Sequence, residues 1–196
     1  QAEQGRLEAL AASLISQFGI RVQPVTRLGR AHTEISAYAQ AVSADLMVAG
    51  VRGENTLMDL FLGTTALRLL RVATCPVLIV RKPAEAPYRR VLAVVDFSPV
   101  SGAVVTHALS LADGAQVETL HVLGSEVEQR LRKAKLAQVD VTGWLARLRT
   151  EAEKKLEALL ATVEGGATVG RVVEPGFPPA AICQCIEESH TDLVVL

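Results

Sequence analysis

The sequence predicts an α/β fold built on an open parallel sheet with helices on both faces, present in two tandem copies. Apolar runs without polar alternation, which are typical of strands buried on both faces, alternate with segments of helical periodicity. Strand and helix follow one another throughout, and this order favours right-handed crossovers between parallel strands. The chain also matches itself when it is shifted by 147 residues.

The first predicted copy occupies residues 1–80. Apolar positions at helical spacing predict its helices, and Gly19 follows the end of the first one. Apolar runs predict the buried strands at 45–50 and 75–80. In chain order, the predicted elements are a helix ending before Gly19, a strand at 20–27, a helix at about 31–43, a strand at 45–50, a helix at about 64–72 and a strand at 75–80.

A segment with a different composition, residues 81–90, separates the two copies. It holds two prolines and four basic residues, which is typical of a linker. The second copy, 91–196, starts on a buried strand, after which Ser98 and Pro99 predict a helix N-cap and first helical position. Its predicted elements are a strand at 91–98, a helix to about 112, a strand at 115–123, a helical zone at about 126–163 interrupted near 141–143, a strand at 167–173, a helix at about 178–190 and a strand at 192–196.

The 147-residue shift superimposes identical residues without a gap. It places Gly29 on Gly176, Ile35 on Ile182, Asp45 on Asp192 and Leu46 on Leu193. The chain has no initial methionine, begins inside a helical pattern and ends on a predicted strand. We therefore expect both copies to be incomplete, in an intact tandem of about 280–300 residues.

The pairing of the last predicted strand, 192–196, determines whether the two copies form separate sheets. This strand follows the strand at 167–173 through its own helix, so we expect Val195 to lie beside Val94. Val48 is then expected to pair with the strand of Val77 in a separate sheet. In the alternative, a permuted domain, residues 45–80 would supply strands beside 91–173.

Composition excludes several classes of protein. The net charge of −1 lacks the basic excess of proteins that bind nucleic acid. No apolar run approaches the roughly 20 residues of a membrane span. Three cysteines in 196 residues do not form a disulfide framework, so we expect a reducing, cytoplasmic location. Cys183 and Cys185 point to different helix faces, so we expect no metal site.

Glycines mark one candidate site. Gly50 and Gly53 follow a predicted buried strand, and Gly63 with Thr64 begins the next helix. Ligands of open parallel sheets bind beyond the carboxyl ends of strands, and helix N-termini favour anions. The pattern indicates a phosphate cradle, in which Gly53→Val or Gly63→Val would weaken binding with little loss of fold. In the alternative, which stays open, these glycines only turn and pack the chain.

The spacing Gly50-x2-Gly53-x9-Gly63-Thr64, with "DLMVAG" before it and "ATCPVLIV" after it, resembles the ATP-binding branch of the universal stress protein family. The segments "RRVLAVVDFSPVS" and "VETLHVL" resemble the first two strands of that family. The resemblance implies a five-stranded parallel sheet in the order 3-2-1-4-5. It also implies ATP as ligand, with or without a divalent cation.

The resemblance assigns roles to six residues. Gly50, Gly53, Gly63 and Thr64 match phosphate and ribose contacts, while Asp96 and the backbone of Val122 match adenine-side contacts. The glycines belong to the first copy, whereas Asp96 and Val122 belong to the second, so neither copy shows a full pocket in this sequence.

The expected function is that of an ATP-binding stress-response protein, in which ATP acts as a regulatory ligand and is not turned over quickly. The expected partners are the adenine nucleotide and either the second domain or a homodimer partner. The alternatives are an interaction scaffold without nucleotide and a slow ATPase. A hydrolytic triad of Asp96, Ser98 and His107 is rejected, because His107 lies within a helix and no nucleophile elbow is present.

Overall fold

The computed structural model describes residues 2–51, 63–81, 83, 86–124 and 141–196. The chain forms two compact units, Gln1–Ala84 and Glu85–Leu196, which we call unit 1 and unit 2. The boundary between them falls within the predicted linker at 81–90. Each unit carries its own parallel sheet.

Unit 1 contains a two-stranded parallel sheet with one helical crossover. Its elements are α1 (Ala2–Phe18), α2 (Ala31–Ala41), β1 (Met47–Gly50), α3 (Thr64–Val72) and β2 (Val77–Val80). Met47 lies opposite Val77, and Gly50 lies opposite Val80. The prediction that Val48 pairs with the strand of Val77 is therefore confirmed.

Unit 2 contains four parallel strands in the order β5-β4-β3-β6. Its elements are β3 (Arg90–Val94), α4 (Ser101–Leu111), β4 (Gln116–Leu123), α5 (Val141–Ala161), a 3-10 turn (Gly166–Thr168), β5 (Gly170–Pro175), α6 (Pro178–Ser189) and β6 (Leu193–Val195). This is the order 3-2-1-4 of the predicted sheet. Val195 lies opposite Ala93, next to Val94, which confirms the predicted pairing and contradicts the permuted arrangement.

The core of unit 2 lies on both faces of this sheet. On one face, Leu92, Leu120 and Val122 pack against Ile182 and other apolar residues of α6. The helix α5 packs on β4 and β5 and carries the fully buried Leu156. The polar Thr119 is also fully buried, but its hydroxyl donates to Gly170 O at 2.9 Å, so it carries no unsatisfied donor.

The backbone confirms the internal repeat. Gly29 and Gly176 have φ of +149° and +145°, values that favour glycine, and each precedes a helix. Ser43 and His190, also 147 residues apart, share the left-handed conformation with φ of +51° and +52° after those helices. Two sequences with little identity thus make the same unusual turns at the same offset.

The predicted strand at 20–27 is wrong, because these residues form neither helix nor strand. In the order 3-2-1-4-5, this segment would be strand 3, which pairs only with strand 2. Nothing in the described part of unit 1 supplies that partner. An apolar cavity of about 630 Å³ adjoins the segment, lined by α1, α2 and residues from Val22 to Gly29.

The repeat explains the position of this cavity. Its lining residues Val22, Val25 and Met47 correspond by the 147-residue shift to Val169, Val172 and Val194. In unit 2, β4 and β3 stand between the strands that carry Val172 and Val194. The cavity in unit 1 therefore lies where unit 2 has two central strands.

Two predicted element boundaries in unit 2 are also wrong. The strand predicted at 91–98 ends at Val94, and helix α4 begins only at Ser101, with Val100 as its N-cap. Ser98 does not cap that helix, because its own backbone N–H is held in a tight turn by Asp96. Helix α5 begins at Val141, where the helical zone was predicted to be interrupted, and the part of that zone before Val141 lies outside the described residues.

Candidate functional site

The carboxyl end of β1 and the N-terminus of α3 lie together in unit 1. Val51 N donates to Val80 O at 3.1 Å, which extends the strand pairing by one residue beyond Gly50. Gly63 N donates to Val51 O at 3.2 Å, and Leu67 N donates to Gly63 O at 3.0 Å. The chain therefore returns to the end of the strand that it left and starts a helix there.

The first turn of α3 can hold an anion. Gly63 is its N-cap and has no side chain to cover the first backbone N–H groups. No acidic residue lies in this turn, and Thr64 and Thr65 are exposed. Free N–H groups and the positive end of the helix dipole favour negative charge at this position. A phosphate could also accept a hydrogen bond from the Thr64 hydroxyl.

Gly63 also has a packing role. A Cβ built on Gly63 would lie 2.9 Å from Val51 O, a backbone atom that cannot swing aside. The expectation that Gly63→Val leaves the fold nearly intact is therefore wrong. The packing interpretation therefore applies at this position, and the phosphate interpretation stays a prediction.

The other predicted residues of this motif are placed in part. Gly50 is the last residue of β1, is exposed and lies opposite Val80. Gly53 and the neighbouring Arg52 lie outside the described residues. The structure thus brings together three of the four predicted phosphate and ribose residues, Gly50, Gly63 and Thr64.

Asp96 occupies a tight turn just beyond β3 in unit 2. Its Oδ1 atom accepts hydrogen bonds from Ser98 N at 2.9 Å and from the Ser101 hydroxyl at 3.2 Å. The Ser98 hydroxyl is buried and makes no hydrogen bond of ordinary geometry. Both of these donors use Oδ1, and Oδ2 could accept a hydrogen bond from a ligand.

The surroundings of Asp96 lower the pKa of its carboxyl. The nearby Ser98 hydroxyl lowers the pKa most, followed by the Ser98 backbone N–H. Desolvation raises the pKa by less than either, and the Ser101 hydroxyl lowers it by a smaller amount again. All three donors favour the charged carboxylate, and the carboxyl is exposed to solvent.

We expect Asp96 to titrate below the ordinary aspartate value of about 3.9. Because its pKa is lower in the folded state, its contribution to stability is fully present above about pH 3.9. That contribution is lost as the pH falls through the folded pKa. Carbon-13 NMR of the carboxyl would measure this pKa, with Asp96→Asn to assign the signal. A midpoint above the ordinary value would contradict the turn described here.

Val122 lies beside Asp96 in the sheet. The last paired residues of β3 and β4 are Val94 and Leu120, and Asp96 and Val122 each follow two positions later. The Val122 side chain is buried in the core under α6. Only its backbone can therefore meet a ligand. Asp96 and Val122 stand at the carboxyl ends of adjacent parallel strands, which is where such sheets bind ligands.

Sequence reasoning missed one contact near this site. The imidazole Nδ1 of His121 lies 2.9 Å from Val95 O, and its ring lies 4.2 Å from the ring of Phe97. Strand alternation offered a signal, because a histidine next to Val122 must face the side of the sheet opposite Val122. Nothing in the sequence indicated that Phe97 would turn back over that histidine.

Two other kinds of site are absent from the described residues. No group of three or more His, Cys, Asp or Glu residues in that part of the chain could hold a metal ion. No helix there combines the length and hydropathy needed to cross a membrane. The cysteines Cys75, Cys183 and Cys185 are free thiols.

Known proteins match the chain in two successive segments. The profile of the universal stress protein family matches residues 1–81 and 87–196. A universal stress protein of Methanocaldococcus jannaschii is 35% identical over 72 residues, which are 37% of this chain and 42% of that protein. One from Synechocystis is 36% identical over 74 residues, which are 38% of this chain and 46% of that protein. The matched regions thus span less than half of each of these relatives.

Solved structures share the fold. A universal stress protein from Archaeoglobus fulgidus superimposes with a TM-score of 0.66 at 18% identity, over 98% of this chain and 65% of that one. A putative universal stress protein from Pseudomonas aeruginosa superimposes with a TM-score of 0.65 at 19% identity, over 97% of this chain and 65% of that one. The gap between the two matched segments, residues 82–86, contains the boundary between the two units, and each segment holds one side of the internal repeat. This chain therefore belongs to the universal stress protein family and carries two tandem copies of its α/β fold.

Proposed function

We propose that this stress protein binds ATP as a regulatory ligand, with the phosphates at the N-terminus of α3 in unit 1. The observation that carries the proposal is the hydrogen bond from Gly63 N to Val51 O, which fixes an uncapped helix N-terminus at the carboxyl end of a parallel strand. This position combines the two features that favour phosphate in α/β folds.

The residues present fit the groups of a nucleotide. Gly50 offers exposed backbone without a side chain, and Thr64 offers an exposed hydroxyl at the first helical position. In the separate unit 2, Asp96 and the backbone of Val122 present acceptors and a donor at adjacent strand ends, which would suit the base or ribose of a second nucleotide. When bound, ATP would supply charge and binding energy that bias the conformation of the chain or its choice of partner.

Removal of the Thr64 hydroxyl tests whether the N-terminus of α3 binds phosphate. We expect Thr64→Ala to weaken ATP binding by about tenfold or more, the usual effect of losing a hydrogen bond to a charged group. Thr65→Ala is the matched control, because Thr65 is exposed in the same helical turn but lies one residue further along. Titration calorimetry of both variants measures the difference, and equal affinities would show that Thr64 does not contact phosphate.

A scaffold without nucleotide is the second candidate function. It is favoured by the short distance of 2.9 Å between a Cβ on Gly63 and Val51 O, since packing alone then explains this glycine. The hydrogen bonds that Asp96 accepts within its own turn likewise explain that residue without a ligand. If this candidate is correct, calorimetry will give no heat of binding with ATP, whichever threonine is present.

A further inference from the structure

We propose that His121 is a positioning residue that fixes the turn carrying Asp96. The inference rests on the proposed function only in assuming that Asp96 contacts a ligand. His121 lies on β4, one residue before Val122, and faces the side of the sheet away from Val122. From there it contacts the residues on both sides of Asp96.

The first contact is a hydrogen bond to the chain before Asp96. Nδ1 of His121 lies 2.9 Å from Val95 O. A carbonyl oxygen can only accept, so Nδ1 must carry the proton and donate it. The hydrogen bond holds the peptide group between Val95 and Asp96, just beyond the end of β3, where Val95 N makes one more hydrogen bond to β4, to Leu120 O at 2.9 Å.

The second contact is with the residue after Asp96. The Phe97 ring lies 4.2 Å from the His121 ring at an interplanar angle of 36°. Phe97 has a φ of +62°, a left-handed conformation that is uncommon for a bulky residue and persists only where its surroundings enforce it. The Lys155 ammonium, on α5, lies 6.0 Å from the centre of the Phe97 ring, so α5 also borders the contact between His121 and Phe97.

These contacts clamp a three-residue segment. Val95 is held by its carbonyl and Phe97 by its ring, so the carboxyl of Asp96 between them is directed toward the Ser98 backbone and the Ser101 hydroxyl. Without the imidazole, Phe97 would lose the contact that favours its left-handed conformation. The turn would then relax, and Asp96 would lose its directed hydrogen bonds.

The pKa of Asp96 reports this positioning without any nucleotide. We expect His121→Ala to raise the pKa of Asp96 toward the ordinary value of about 3.9, because the donors that lower it depend on the turn. His121→Asn, which keeps a donor, and His121→Phe, which keeps a ring, should each restore part of the shift. The measurement is carbon-13 NMR titration of the whole chain, with the Asp96→Asn spectrum for assignment.

Thr119→Val is the control that tests whether His121 only stabilises the fold. Thr119 lies two residues before His121 on the same face of β4, is fully buried and donates to Gly170 O at 2.9 Å. Its loss should lower stability and leave the pKa of Asp96 unchanged. If His121→Ala fails to fold, Phe97→Ala removes the other side of the ring contact and should raise the pKa of Asp96 in the same way.

ATP titration of the same variants separates the two proposals. A raised pKa in a chain that binds no ATP supports the role of His121 and overturns the nucleotide function. A pKa that does not change in folded His121→Ala and Phe97→Ala overturns the role of His121, whether or not ATP binds. A raised pKa together with weaker ATP binding at unit 2 in His121→Ala, and unchanged binding in Thr119→Val, supports the role of His121 and a nucleotide site in unit 2.

Discussion

Replacing Leu156 with alanine is expected to destabilise unit 2 by about 2–5 kcal/mol, the range for truncating a fully buried leucine. Leu156 is fully buried on the face of α5 that packs on β4 and β5. Its loss would leave a cavity between helix and sheet that the surrounding backbone cannot close. Urea denaturation followed by the fluorescence of Trp144, the single tryptophan of the chain, reports on unit 2 alone.

The matched control is Lys154→Ala, two residues before Leu156 on the same helix. Lys154 is exposed, so its truncation should change stability by no more than about 0.5 kcal/mol. Two units can unfold separately, so a single transition for the whole chain is not assumed. If the Trp144 transition of Leu156→Ala matches that of Lys154→Ala, α5 does not cover the sheet as described.

The second large effect is expected from Gly63→Val in unit 1. The new Cβ would lie 2.9 Å from Val51 O, so the start of α3 must move away from the end of β1. We expect a loss of about 1–3 kcal/mol, as for other overpacked sites, together with loss of ATP binding in unit 1. Faster hydrogen exchange in peptides covering β1 and β2 would report the loss of stability.

Gly5→Ala provides the control in the same unit. Gly5 lies in α1, and a Cβ there would meet no atom within 4 Å. Alanine should therefore stabilise that helix by roughly 0.5–1 kcal/mol and leave ATP binding unchanged. Slow exchange retained at β1 and β2 in Gly63→Val would contradict the close approach of Gly63 to Val51.

The sequence was sufficient to predict the fold because the repeat and the burial pattern agree. The helix predicted at about 64–72 is confirmed as α3, and the pairing of Val195's strand with Val94's strand followed from connectivity alone. The unusual φ values at Gly29 and Gly176 show why these glycines align across the repeat. Local patterns in this chain are thus consistent with its tertiary structure.

Other features depend on contacts that a sequence pattern does not contain. Residues 20–27 were predicted to form a strand, but a strand forms only with a partner, and none of the described residues of unit 1 provides one. Ser98-Pro99 is a strong helix-start signal. In the structure, however, Ser98 N donates to the Asp96 carboxyl, and the helix begins only at Ser101.

The candidate site was predictable in residue type and not in geometry. The glycine spacing indicated Gly50, Gly63 and Thr64, but the packing of Gly63 against Val51 O appears only in three dimensions. The contact between Phe97 and His121 was likewise hidden, because it joins residues from two different strand ends. Such long-range contacts decide whether a sequence motif becomes a site.

The central claim is that this chain binds ATP through its phosphates. Titration calorimetry with ATP, AMP and adenosine tests it most directly, together with chromatography of nucleotide released from the purified chain by acid. The account predicts saturable binding of ATP, weaker binding of AMP and adenosine, and a further loss for ATP in Thr64→Ala. No binding of ATP and no released nucleotide, from a chain whose Trp144 unfolding transition is intact, would contradict it.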